Sequence, residues 1–154
     1  DSGRRIALEV IRHHRLLETY LAEALGVPWD EVHDEAEVLE HVLSEDLESR
    51  IAAVLGNPAF DPHGHPIPTK DGAVPDESGR SLWSVADGEA VRVERVSDDA
   101  PEGLRYLEDI GVRPGARLDV TGRGPVEGPL FVTVRGGRAD CALSRELAEG
   151  IWVR

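Results

Sequence analysis

The apolar residues of the first third of the chain recur at the spacing of amphipathic helices. One helical face is predicted from Ile6, Val10, Leu17, Leu21 and Leu25. Gly26 suits the end of this helix, and Pro28 suits the first turn of the next. A second helix is expected from Val32, Ala36, Leu39 and Leu43. A third helix, preceded by the N-cap Ser44, is expected from Leu47, Ile51, Val54 and Leu55.

The pattern changes in the middle of the chain, where proline, glycine and aspartate become frequent. Residues 57–68 are predicted to form an ordered irregular segment, and residues 69–86 a linker. From Glu89 onwards, short apolar runs alternate with turns, which predicts several strands and one short helix near 104–110. The chain is therefore expected to be an α+β protein, with an all-α helical domain at 1–68 and a small β-barrel at 87–154.

Composition and charge limit the possible partners. The 154 residues include 30 acidic and 17 basic residues, which gives a formal net charge of −13 at pH 7. This balance does not favour contact with nucleic-acid phosphates, but it suits cations. The single cysteine, Cys141, excludes an internal disulfide and a cysteine-based zinc cage. No membrane span and no signal peptide are recognisable, so a cytoplasmic protein is expected.

Histidine and glutamate lie at helical spacing in the first two helices. His14 and Glu18 are four residues apart and project from one face of the first helix. The second helix is predicted to carry four more such groups on one side, at His33, Glu37, Glu40 and His41. They belong to a stretch, 28–48, with nine acidic residues and no lysine or arginine. Two helices joined by a short turn would pack as a hairpin and bring these groups together.

Six such groups are costly to pack without a cation, because they lose water and the carboxylates repel one another. A divalent metal ion removes both costs, whereas a solvated acidic surface avoids them. The spacing alone leaves both interpretations open. If a metal binds, mixed carboxylate and imidazole ligands without thiolate suit Mn(II) and Fe(II), although Zn(II), Co(II) and Ni(II) could also bind.

Other conspicuous residues are expected to be structural. His13 projects about 100° around the helix from His14, which predicts a surface position. His63 and His65 lie between prolines, and a structural loop is favoured there over a surface metal site. Trp29 is expected to anchor the core, and Cys141 to be buried and inert in a strand.

Six segments resemble the diphtheria toxin repressor family of iron- and manganese-dependent transcriptional repressors. RHHRLLE at 12–18, WDEVHDEAE at 29–37 and LEHV at 39–42 are similar to the metal-sensing and dimerisation domain of that family. PHGHPIP at 62–68 resembles the loop that follows it. LRYLEDIGVRPG at 104–115 and ALSRELA at 142–148 resemble the C-terminal Src-homology-3-like barrel, which is akin to a ferrous-transport accessory domain.

The resemblance implies two neighbouring metal sites. His14, Glu18 and His33 match the helix ligands of a first, ancillary site, which some members complete from the barrel. The residues available here for that role are Glu94, Asp98, Asp99 and Glu102. A second, activating site is matched by Glu37, Glu40 and His41. Iron-type members typically have cysteine in place of Glu37, and manganese-type members have glutamate, which favours Mn(II) with Fe(II) as the next choice.

The resemblance also implies a regulatory mechanism. Metal would favour the DNA-binding state of a homodimer that controls metal-uptake genes, with part of the dimer interface on the third helix. Operator DNA would be contacted by an N-terminal winged helix-turn-helix, which this chain is expected to lack. Two alternative functions to a metal-responsive repressor are a di-metal or zinc metalloenzyme and a barrel-type interaction module. No Glu-x-x-His pair and no His-Glu-x-x-His motif supports the metalloenzyme.

Overall fold

The computed structural model describes residues 2–154, which form two compact units, 2–77 and Ser78–Arg154. The first unit contains the helices α1 (Ser2–Glu23), α2 (Val32–Leu39) and α3 (Glu45–Val54). The elements of the second unit are β1 (Arg80–Ser81), β2 (Ala90–Val96), α4 (Pro101–Ile110), β3 (Arg117–Arg123), β4 (Leu130–Val134), β5 (Cys141–Leu143), α5 (Arg145–Glu149) and β6 (Ile151–Val153). The α+β class expected from the sequence is confirmed.

The helices of the first unit share a small apolar core. It is formed by Leu17 and Leu21 of α1, Val32 and Ala36 of α2, and Ile51 of α3. The N-terminal part of the α1 stripe does not join this core, because Ile6 is 62% exposed and Val10 is 45% exposed. No helix within residues 2–154 has both the length and the apolar character required to cross a membrane.

The first two helices end earlier than their apolar spacing predicts. α1 ends at Glu23, before Gly26, and α2 ends at Leu39 with Glu40 as its C-cap. His41 therefore lies beyond the helix that was expected to carry it. The physical reason is the next helix: the Ser44 hydroxyl oxygen accepts a hydrogen bond from the Leu47 amide at 3.2 Å and starts α3. The chain must turn between Glu40 and Ser44, so the helical spacing cannot continue there.

The segment 57–68 is irregular and is held by its own hydrogen bonds. The Asp61 carboxylate accepts the backbone N–H groups of His63 at 2.9 Å and His65 at 3.0 Å. Further along, the Ile67 amide donates to the Ala59 carbonyl at 2.8 Å. The Ile67 side chain is buried against Leu16 of α1 and a residue of α3. The loop is thereby fixed to α1, which carries two of the histidines, and to α3.

The second unit is a six-stranded antiparallel sheet in the order β1-β6-β2-β3-β4-β5. Alternate strand residues point into its core, as period-two patterning requires. They include Val91, Val93, Leu118, Val120, Leu130, Val132, Leu143, Ile151 and Val153. Leu104, Leu107 and Ile110 of α4 are also buried. α4 ends at Gly111, whose φ of 82° is a left-handed conformation that glycine adopts without steric cost.

The segment 69–86, which its composition predicts to be a linker, contains part of the second unit. β1 pairs with β6 through Arg80 and Ser81, and a 3-10 helix follows at Leu82–Ser84. Leu82 and Val85 are fully buried. β1 is only two residues long, so it has no alternating pattern to recognise, and its pairing partner lies at the other end of the unit.

Replacing Leu118 by alanine is expected to lower the free energy of unfolding of the second unit by about 2–5 kcal/mol, because it leaves a cavity among fully buried strand residues. Chemical denaturation followed by tryptophan fluorescence measures the change. The matched control is Arg117→Ala on the same strand, which is exposed and should change stability by less than about 0.5 kcal/mol. Equal effects of both substitutions would contradict the burial pattern of β3.

Candidate metal centre

Four polar side chains from α1 and the α2 segment meet in what we call the His14 cluster: His14, Glu18, His33 and Glu40. The Glu18 Oε1 atom lies 3.0 Å from His14 Nε2 and 3.3 Å from His33 Nδ1. The two imidazole nitrogens are 3.1 Å apart. On the other side of the ring, His14 Nδ1 lies 2.6 Å from Glu40 Oε2. One ligand atom each from His14, Glu18 and His33 therefore fit within 4.8 Å of one another.

The apolar packing of α1 against α2 positions this cluster. Leu17 and Val32, which belong to the shared core, directly precede Glu18 and His33 in the sequence. His14 contacts Glu40 while Glu18 contacts His33, so the two segments run in opposite directions past each other. The i, i+4 spacing of His14 and Glu18 then directs both side chains towards α2.

Glu18 is the most buried member of the cluster. Its side chain is 1% exposed, and its Oε2 atom has no hydrogen-bond partner among the described residues. The side chain of His33, by contrast, is 46% exposed and borders solvent. A buried carboxylate is strongly destabilising unless positive charge or hydrogen bonds compensate it. The cluster consequently requires a cation or a bound proton beside Glu18.

In the absence of metal, His14 can provide that positive charge. Burial alone would lower the pKa of His14, but hydrogen bonds and charge from Glu18 and Glu40 outweigh burial and raise the pKa to about 9. The imidazole is therefore protonated at neutral pH. A metal ion would take over the same role, since it binds the neutral imidazole through a nitrogen lone pair and the carboxylate through oxygen.

His63 lies behind Glu18 and was not assigned to this site from the sequence. Its ring is fully buried and stacks on Trp29 at a centroid distance of 5.6 Å. His63 Nε2 is 2.7 Å from the Trp29 carbonyl oxygen, which can only accept, so Nε2 carries a proton. Nδ1 is turned towards Glu18 Oε2 at 3.8 Å. The loop between the prolines has no periodicity, so the sequence could not indicate this contact.

Asp61, His63 and His65 form a second group whose ligand atoms lie within 4.8 Å of one another. Burial raises the pKa of Asp61, but the His65 imidazole hydrogen bond and charge, together with the charge of His63, hold it below its ordinary value. One Asp61 oxygen accepts two backbone amides, and His63 donates to the Trp29 carbonyl. These contacts explain the group as loop structure, which was the favoured expectation.

The remaining predicted ligands lie outside the His14 cluster. Glu37 is exposed on α2, and the His41 side chain is 74% exposed beyond the end of that helix. His41 Nε2 is 3.9 Å from Glu40 Oε1, so Glu40 lies between His41 and His14. The structure therefore brings together four of the six predicted residues.

The donor set of the His14 cluster fits a divalent metal ion. Two imidazoles and one carboxylate supply borderline and hard ligand atoms, and no thiolate is present to select a soft metal. The Glu18 oxygen without a hydrogen-bond partner supplies a free, buried acceptor. An ion held by His14, Glu18 and His33 would join α1 to α2, because the ligands come from both helices.

Two family descriptions match the chain in sequence order. Residues 1–69 match the iron dependent repressor metal binding and dimerisation domain. Residues 80–154 match the FeoA domain, which has the Src-homology-3-like fold. The small barrel expected after the helical part is thereby confirmed.

Several characterised proteins are similar over nearly the whole chain. The iron-dependent repressor IdeR of Mycobacterium leprae is 38% identical over 164 residues, which cover 98% of this chain and 70% of that protein. A structure of a manganese-dependent transcriptional repressor in complex with manganese has a TM-score of 0.95 and 50% identity, covering 100% of this chain and 73% of that chain. A structure of ScaR with bound Cd2+ has a TM-score of 0.82 and 29% identity, covering 99% and 71% respectively.

The fold is that of a regulator with a helical metal binding and dimerisation domain followed by a Src-homology-3-like barrel. The chain belongs to the family of metal-dependent transcriptional repressors that includes IdeR and the diphtheria toxin repressor. The resemblance stated from the sequence motifs is confirmed. The relatives that the chain matches are repressors of transcription.

Metal binding at the His14 cluster is expected to release about one proton per ion at neutral pH, because His14, with a pKa of about 9, must lose its proton to become a ligand. The apparent affinity for Mn(II) should rise about tenfold per pH unit up to roughly pH 9 and then level off. Calorimetric titration in buffers of different ionisation enthalpy measures the released proton. An affinity that does not change between pH 7 and 8 would contradict this arrangement.

Proposed function

We propose that this chain is the metal-sensing and dimerising core of a manganese-responsive transcriptional repressor. The observation that carries the proposal is the convergence of His14 and His33 on the buried carboxylate of Glu18. The ion would be bound between two helices, so it would favour the arrangement in which α1 and α2 are closed. Metal concentration would then set the population of the state that binds DNA.

Mn(II) is the favoured ion, with Fe(II) as the next choice. The proposed ligands are imidazoles and carboxylates, which suit both ions and also admit Zn(II), Co(II) or Ni(II) as surrogates. The glutamate at position 37 supports manganese, because iron-type members of the family typically carry cysteine there. The similarity to a manganese-dependent repressor at 50% identity supports the same choice.

A second metal site is proposed around Glu37, Glu40 and His41. Glu40 already contacts both His14 and His41, at 2.6 Å and 3.9 Å. A second ion bound at Glu40 would thus lie next to the first site, with Glu40 between the two. Because Glu37 and His41 are exposed, we expect this site to be weaker than the first in this chain.

The proposed partner of the helical unit is a second copy of the chain. An apolar groove is lined by residues of all three helices and the turns between them: Leu17, Tyr20, Leu21, Leu25, Leu39, Val42, Leu43, Leu47 and Ile51. Leu25, Val42 and Leu47 are 61%, 78% and 49% exposed, which is unusual for clustered large apolar residues. The match to a dimerisation domain supports a twofold interface here.

Operator DNA is the proposed partner of the complete regulator, which would act in the cytoplasm. The strongly acidic composition of this chain does not suit phosphate contact, so DNA recognition is proposed to belong to a winged helix-turn-helix. A twofold dimer of the helical units would set the spacing between two DNA half-sites. The alternative, a di-metal or zinc metalloenzyme, would predict dioxygen consumption with Fe(II) or turnover of a hydrolysable substrate.

Substituting single members of the His14 cluster should weaken Mn(II) binding. His33→Ala and Glu18→Gln are each expected to lower the affinity by about 10–100-fold, because each removes a ligand atom or its charge. Calorimetric titration measures the affinity, and Glu35→Gln on the exposed face of α2 is the matched control. Binding that survives both substitutions unchanged would contradict the proposed ligands.

In wild type, Mn(II) at 100 times its dissociation constant should add about 2.7 kcal/mol to the free energy of unfolding.

A charge placed in the apolar groove should dissociate the dimer. Val42→Asp is expected to weaken dimerisation by at least about 100-fold, since an unpaired carboxylate would be buried in the interface. The control Val38→Asp adds the same charge at a residue that is 70% exposed and does not line the groove. Sedimentation velocity at micromolar concentration measures the assembly state. If both variants dissociate to the same extent, the interface lies elsewhere on the helical unit.

A further inference from the structure

A second group of potential ligands lies on another face of α1. Glu9 and His13 of α1 and Glu45, the first residue of α3, each offer one ligand atom within 4.8 Å of the others. We call this group the His13 cluster. Glu9 and His13 are four residues apart and share one face of α1. The N-terminal end of α3 packs against this face. His13 Nε2 lies 3.2 Å from Glu45 Oε1.

The position of His13 differs from the surface position expected from the sequence. The residue is only 8% exposed, because α3 packs over the face of α1 on which it lies. Its Nε2 atom is buried and makes no hydrogen bond to the described residues, because the Glu45 oxygen 3.2 Å away lies outside hydrogen-bond geometry. A buried nitrogen in this setting loses its hydration unless it binds a proton or a metal ion.

The charges around this nitrogen favour a cation. Glu9 and Glu45 are both acidic, and within residues 2–154 the basic side chain that pairs with one of them is Lys70, whose Nζ is 3.8 Å from Glu45 Oε2. Lys70 is closer to the buried Glu48, at 3.4 Å, and Arg12 also pairs with Glu48 at 2.7 Å. Both basic groups are thus directed chiefly to Glu48. The two carboxylates of the His13 cluster are left with little compensating charge.

We propose that Glu9, His13 and Glu45 form a further divalent metal site, separate from the ligands of the proposed sensing function. Two carboxylates and one imidazole, without thiolate, suit Mn(II) and can also hold Zn(II). His13 and His14 project about 100° apart around α1, so the two clusters lie on different faces of the helix. The two exposed carboxylates make this the weaker site.

An ion at the His13 cluster would fix the first turn of α3 to α1. The same helix carries Leu47 and Ile51, which line the apolar groove proposed as the dimer surface. Metal at this site would therefore order one wall of the groove, whereas metal at the His14 cluster joins α1 to α2. The dimerisation consequence depends on the proposed function, but the metal site itself does not.

The test is to count bound Mn(II) by electron paramagnetic resonance, which detects the free aqueous ion. Glu9→Gln and Glu45→Gln are expected to bind one Mn(II) fewer per chain than wild type at a free concentration that saturates all sites. Both residues are exposed, so neither substitution should prevent folding. The matched control is Asp46→Asn, which removes the same charge from the same turn of α3 and should keep the wild-type count.

The His33→Ala variant separates this proposal from the sensing function. The His33→Ala variant should keep the ion at the His13 cluster, because His33 takes no part in that cluster. Adding Glu45→Gln to His33→Ala should then remove one further Mn(II) per chain. An unchanged count in both Glu9→Gln and Glu45→Gln would overturn the proposal and leave the His13 contact with Glu45 as a structural contact between α1 and α3. Anomalous scattering at the manganese edge from a soaked crystal should place an ion at His13 Nε2, and its absence there would also overturn the proposal.

Discussion

Burial of the Glu18 carboxylate between imidazoles is the constraint on which the helical unit depends. An ionised carboxylate inside an apolar hairpin is tolerated only if positive charge lies beside it. The hairpin supplies this charge through His14 when metal is absent and could supply it through a metal ion otherwise. The same energetic need that keeps His14 protonated beside Glu18 would also favour a divalent cation at the proposed site.

The site belongs to a framework that is built by ordinary apolar packing. Leu17, Leu21, Val32 and Ala36 close the hairpin, and the loop from Ala59 to Ile67 seals one side of it. His63 reaches Glu18 from this loop, so the loop contributes to the electrostatics of the site as well as to its stability. Packing and ligand geometry are thus coupled, as a sensor requires if metal is to bias its conformation.

Much of the architecture was predictable from local patterns. Short apolar runs separated by turns indicated the main strands of the second unit, and Ser44 indicated the start of α3, because both depend on residues close together in sequence. The His14 and Glu18 pair was equally visible, since a helix determines the relative direction of residues four apart. β1 was missed because it consists of two residues whose partner in β6 is distant in sequence.

The sequence by itself determined the donor chemistry: imidazole and carboxylate at helical spacing, one cysteine, and an acidic stretch without basic residues. Only the tertiary structure decided which of these groups meet. The end of α2 at Leu39 removed His41 from the helix face, α3 covered His13, and a loop without periodicity brought His63 to Glu18. These outcomes depend on where helices end and which faces they bury, and local spacing does not encode either.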